Sequence, residues 1–289
     1  VKMMMRVHAL SLALAFAVVA KGTGAAVVQL TPDSIKPVLG EDTALGSLVQ
    51  FKHSAVPASA TVDQSDYERL ASKYEGVVVV AEVDCEDEST KAACGLAGVT
   101  QLPHIAFYPA EATMNPYTKK PYKTAERFPV EAGVNAKKLS DFVQEKLDSS
   151  KIASLSSDTN STDEVSAFTS GSAALPRVVL FASKATTTAT YKSLSVQFRG
   201  RMLFAEVPRS DEALAGEFGG IEDYPALFVV TSAGERVRYE GSMRAPELAE
   251  FLESLAPAAA EADGAASGTP SSSSSSDSFN WLAPEKFES

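Results

Sequence analysis

Cys94-Gly95-Leu96-Ala97-Gly98-Val99-Thr100-Gln101-Leu102-Pro103-His104-Ile105-Ala106-Phe107-Tyr108 is the stretch on which the fold is read. Glycines punctuate its first part, and past Pro103 it becomes an apolar run that predicts a strand over His104–Tyr108. Upstream, Ser47–Phe51 and Val77–Asp84 are also of strand type. Helical spacing lies between and after these runs. Tyr67, Leu70, Ala71 and Tyr74 recur within Asp66–Tyr74, and Leu139, Phe142, Val143 and Leu147 form one stripe in Asn135–Leu147, with Asn135 placed to cap.

The same order recurs downstream. Arg177–Ala182, Met202–Val207, Ala226–Thr231 and Glu235–Gly241 read as strands, with a helix at Tyr191–Phe198 between the first two. Ser232-Ala233-Gly234-Glu235 makes the turn of a closing hairpin. A last helix starts at Pro246 and presents Leu248, Phe251, Leu252 and Leu255. Strands alternating with helices, twice over, predict an α/β protein of two similar domains, 27–149 and 150–256.

The flanks read differently. Lys2 and Arg6 precede an apolar run from Ala9 to Ala20, which predicts a cleavable signal peptide over 1–26 and an oxidising compartment. Residues 257–289 are rich in Ala, Gly, Pro and Ser and predict a disordered tail. Asn160-Ser161-Thr162 is a glycosylation acceptor. With 26 Lys and Arg against 37 Asp and Glu, the net charge is −11. Such a surface repels phosphate backbones and anionic membranes, so neither nucleic acid nor, after signal cleavage, a membrane is an expected partner.

The pattern resembles the protein disulfide isomerase family, in particular its small members with tandem thioredoxin-like domains. Ser47-Leu48-Val49-Gln50-Phe51, Val79-Val80-Ala81-Glu82-Val83-Asp84-Cys85 and the run from Gly98 through Pro103 to Tyr108 carry the likeness in the first half. In the second it rests on Pro176–Phe181, Phe198–Val207 and Phe218–Leu227, which look like a non-catalytic domain of that family. The resemblance implies a central mixed sheet flanked by helices in each domain, and cis bonds before Pro103 and Pro225. It also implies that Leu102, Pro103 and His104 help receive an extended substrate segment.

The family's Cys-x-x-Cys is absent. Its place falls on Val56-Pro57-Ala58-Ser59, and the buried glutamate of many members falls on Gln50. Thiol–disulfide exchange needs a thiolate there, so no catalytic residue is assigned. Cys85 and Cys94, the only cysteines, match a non-catalytic pair of some members and are expected to form one structural disulfide. A redox-active pair and two free thiols are the alternatives.

No metal or other cofactor is expected. His53 and His104 supply two ligands without a third, and the acidic run Glu82, Asp84, Glu86, Asp87, Glu88 lacks calcium-loop spacing and reads as a solvated edge. The function expected is that of a redox-inactive folding helper, or chaperone, which binds client polypeptides in the endoplasmic reticulum lumen or after secretion. Its rivals are a thiol oxidoreductase using Cys85 and Cys94, and a secreted or luminal scaffold. No Lys-Asp-Glu-Leu-type retrieval signal closes the sequence, which leaves retention and secretion both open.

Overall fold

The computed structural model describes residues 26–56, 62–158, 162–170 and 173–258. The expected signal peptide up to residue 25, Asn160, and the tail from 259 lie outside the described residues.

In the first half, β1 (Val28–Gln29) and α1 (Ile35–Gly40) precede β2 (Gly46–Lys52), α2 (Gln64–Lys73), β3 (Val78–Asp84), α3 (Glu88–Leu96) and β4 (His104–Tyr108). A small hairpin of β5 (Thr113–Met114) and β6 (Pro121–Tyr122) leads to β7 (Glu126–Arg127) and α4 (Ala136–Lys146). The second half runs β8 (Ile152–Ser154), α5 (Thr162–Thr169), β9 (Arg177–Phe181), α6 (Ala189–Gln197), β10 (Leu203–Val207), α7 (Glu212–Glu217), β11 (Ala226–Val230), β12 (Arg236–Arg238) and α8 (Ala245–Leu255).

Two five-stranded sheets result, ordered β1-β3-β2-β4-β7 and β8-β10-β9-β11-β12. In each, the three strands on one side run parallel and the remaining two join antiparallel. This is an α/β fold of tandem thioredoxin-like units. Both central strands are buried on both faces, which is why they read as continuous apolar runs.

Alternation along β2 and β3 splits the first core in two. Leu48, Val78, Val80, Ile105 and Phe107 pack under α2 and α4; Val49, Phe51, Ala81, Val83 and Ala106 pack under α1 and α3. The helices hold because their termini are satisfied. Asp63 caps α2 through Ser65, Asp87 caps α3 through Ser89, Asn135 caps α4 through Lys138, and Thr188 caps α6 through Tyr191.

Some elements depart from the sequence expectation. The helix expected from Asp66 begins at Gln64, because the Asp63 side chain closes its first turn. Helices α1 and α7 have six residues each, too few to display a period. The edge strands β1 and β8 owe their structure to pairing with β3 and β10 rather than to any run of their own.

The two units dock through named contacts. The Ser193 hydroxyl donates to the Val77 carbonyl at 2.9 Å, and the Gln197 amide donates to the Gly76 carbonyl at 3.1 Å. Arg199 lies between Asp42 (3.6 Å) and Glu111 (3.4 Å), while Lys151 also reaches Glu111. Gly76 has φ +70°, and a Cβ there would stand 3.2 Å from Ala245 and Pro246, so glycine lets the backbones meet. Ala245 is buried with the first unit's core.

Two arginines tie the second unit together. Arg177, almost wholly buried on β9, donates to the Ala167 (2.7 Å) and Ser170 (2.9 Å) carbonyls at the end of α5. Arg236 donates to the Thr169 carbonyl and covers the Phe218 ring at 4.2 Å. Replacing Arg177 by Met should strand those carbonyls and cost about 2–4 kcal/mol. The expected reading is a lowered urea midpoint at unchanged slope.

Candidate functional site

Strand β2 ends at Lys52, and the chain turns through His53 to Val56, where the Val56 amide donates to the His53 carbonyl at 3.0 Å. Val56 is half-buried in this turn; Pro57, Ala58 and Ser59 lie outside the described residues. Across the sheet end stands the Leu102–Pro103 bond, which is cis, as is Tyr224–Pro225 in the second unit. Leu102 and Pro103 are half-exposed, whereas His104 is only 8% exposed and meets the Phe51 ring edge-on at 5.3 Å. The rim beside the turn is therefore made by Leu102 and Pro103, with the imidazole held beneath it.

Gln50 lies one residue pair deeper, in register with Glu82 on β3 and Ile105 on β4. Its side chain is 2% exposed, and its Oε1 has no hydrogen-bond partner among the described residues. Glu82 is equally buried, but its carboxylate is matched: Lys52 Nζ donates at 2.6 Å and Gln29 Nε2 at 2.8 Å. A buried carboxylate is tolerated only with such partners.

This corrects the reading of Glu82 as part of a solvated acidic edge. Alternation on β3 turns it inward with Val78 and Val80, and only Asp84 and the residues after it reach solvent. The charge next to Tyr67 leaves a trace. Burial first, and Glu82 second, raise the Tyr67 phenol well above its ordinary range, while its hydroxyl shares a proton between the Leu48 (3.2 Å) and Ala81 (3.0 Å) carbonyls.

The remaining acidic residues have local work. Asp87 caps α3, and Asp84 accepts from the Glu86 amide at 2.9 Å. Glu86 accepts from the Ser54 amide at 3.2 Å and from its hydroxyl, and lies 3.2 Å from His53 Nδ1. The Ser54 hydroxyl, more than any other group, lowers the Glu86 carboxyl. His53 thus faces Glu86 at the surface while His104 faces Phe51 inside. Among the described residues, no group of three or more His, Cys, Asp and Glu is arranged to hold a metal ion.

Cys85 and Cys94 are joined in a disulfide, with Cα atoms 6.0 Å apart, and both sulfurs lie in the core of Phe51, Val83 and Leu102. The Cys85 amide donates to the Lys52 carbonyl at 2.9 Å, so the bridge abuts the end of β2. A nine-residue separation closes a short loop, worth about 2–3 kcal/mol in the chain-entropy description.

The chain is 26% identical over 190 residues to a protein named as a protein disulfide-isomerase in Dictyostelium discoideum, across 65% of this chain and 42% of that protein. It is 30% identical over 135 residues to protein disulfide isomerase-like 2-2 of Oryza sativa subsp. japonica, across 45% of this chain and 35% of the relative. The chain is thioredoxin-like in fold and similar in sequence to proteins of the protein disulfide isomerase family.

It spans less than half the length of either of these isomerase relatives. No family model matches it. Among solved structures it is similar to full-length ERdj5 (18% identity, TM-score 0.45, 79% of this chain and 32% of that one). It is also similar to human ERp44 (11% identity, TM-score 0.34, 79% and 57%). Sequence reasoning found this isomerase-type framework and missed the Glu82–Lys52–Gln29 cluster. Its signal was present, since Glu82 interrupts an otherwise apolar strand at an inward position.

Two outcomes follow for this site. Burial above all, then Arg127, lowers the His104 pKa, so the unfolded chain takes the proton more readily than the folded one. The contribution is whole above about pH 6.5 and is lost as pH falls from there through the depressed folded value. Urea midpoints should therefore drop between pH 7 and pH 5, and His104→Phe should flatten that slope. Lys52→Met should leave Glu82 unmatched and cost about 1–3 kcal/mol. The loss should appear as a lowered urea midpoint at unchanged slope, and an unchanged midpoint would contradict it.

Proposed function

We propose that this protein is a redox-inactive folding helper of the secretory pathway, resident in the endoplasmic reticulum lumen or secreted. It holds extended segments of client polypeptides in the groove formed by Val56, Leu102 and Pro103. The observation that carries this reading is the pairing of Cys85 with Cys94, which leaves no free cysteine among the described residues. The described residue aligned with the family's cysteine pair is Val56, and the one aligned with its buried glutamate is Gln50; neither supplies a thiolate. What survives there is an apolar rim able to shelter a side chain of an unfolded segment, above an interior in which Lys52 matches the Glu82 carboxylate.

The isomerase relatives support a folding role in general terms, and the core disulfide suits an oxidising compartment. The test pairs two assays on the purified full chain. Aggregation of a thermally unfolding client should be slowed, and Leu102→Asp should weaken that effect by about tenfold, the loss expected of one central anchor. Insulin reduction should stay at the uncatalysed rate. Reductase activity that vanishes in the Cys85→Ser, Cys94→Ser double variant would establish the oxidoreductase reading instead.

A further inference from the structure

The two units repeat one construction, and the repeat fails at one point. In the first, the Tyr67 hydroxyl meets the Leu48 and Ala81 carbonyls; in the second, the Tyr191 hydroxyl meets the Val178 (3.0 Å) and Ala205 (2.7 Å) carbonyls. That equivalence places Glu206 opposite Glu82, and the register agrees, since Glu206 pairs with Leu180 as Glu82 pairs with Gln50. Two residues further along the central strand, the place of Lys52 is taken by Ala182. On the edge strand, the place of Gln29 is taken by Ser154.

The carboxylate has been kept and its cation has not. Thr187 donates its hydroxyl to Glu206, and among the described residues no Lys, Arg or His nitrogen lies within 4.0 Å of the Glu206 oxygens. Where the missing lysine stem would run there is a pocket of about 130 Å³. Leu180, Ala182, Leu227, Met243 and Leu248 give it apolar walls, Pro225 stands at one side, and Glu206 is part of its lining. Lys184, also at the pocket, is exposed and does not reach the carboxylate. An apolar channel ending on an unmatched, half-buried carboxylate is complementary to an alkyl chain that ends in an ammonium group.

We propose that the pocket between Ala182, Pro225 and Glu206 is a binding site for a lysine side chain of another polypeptide, whose ammonium takes the position that Lys52 occupies in the first unit. The alkyl stem lies along Leu180, Leu227 and Met243, and the head group meets Glu206 and Thr187. This site is separate from the Val56–Leu102–Pro103 groove and does not depend on it.

The test uses the full chain, labelled with ¹⁵N, and three acetylated and amidated pentapeptides of alanine. Their central residue is lysine, Nε-acetyl-lysine or norleucine. The lysine peptide should shift the Ala182 and Leu227 amides saturably, and the two neutral peptides should bind about tenfold more weakly. Glu206→Gln should bring the lysine peptide down to their level. Ala182→Lys should supply the cation from within, block the peptide and raise Tm, which shows a folded protein with its pocket filled. Leu102→Asp should leave the titration unchanged, so failure here and failure of the groove are told apart. Equal affinities for the three peptides, shifts that map elsewhere, or undiminished binding in Glu206→Gln would overturn the proposal.

Discussion

A carboxylate sits inside each sheet of this protein, one residue past the carbonyl that a buried tyrosine holds in place. The arrangement is demanding, because an ionised group removed from water needs a partner of opposite charge and well-aimed donors. In the first unit Lys52 and Gln29 supply both. In the second, the hydroxyl of Thr187 is the donor present and a pocket remains beside it. The two units share a strand order and differ in this matching.

The fold is held by simpler means. Both sheets have the same strand order and the same mixture of parallel and antiparallel pairing, so the central strand of each is covered on both faces. The units are then joined by a few directional contacts in which glycine at position 76 lets backbones approach. The turn after β2 carries no thiol in its described part. The two cysteines of the chain form the Cys85–Cys94 bridge in the core.

The sequence was most legible where packing is strongest. The runs around Val49, Val80, Ala106 and Val179 announced their strands because each is buried on both faces, and the stripe through Leu139 and Val143 announced α4 because one face is buried. Helices α1, α5 and α7 and the edge strands β1, β7 and β8 were not legible. They are short, and they exist because a neighbour pairs or packs with them. Glu82 was misread for a related reason: in a list of acidic residues it looks like Glu86 or Glu88, and only strand alternation within a covered sheet separates them.

By itself the sequence determined the α/β class, the twofold repetition, the absence of any Cys-x-x-Cys motif, and the availability of just two cysteines. These depend on local periodicity and residue identity, which survive without coordinates. Tertiary structure decided which carboxylates are buried, that Lys52 reaches Glu82, and that Ala182 leaves Glu206 beside an open pocket. Those facts depend on register between strands distant in sequence, where a shift of a single residue turns every side chain to the other face.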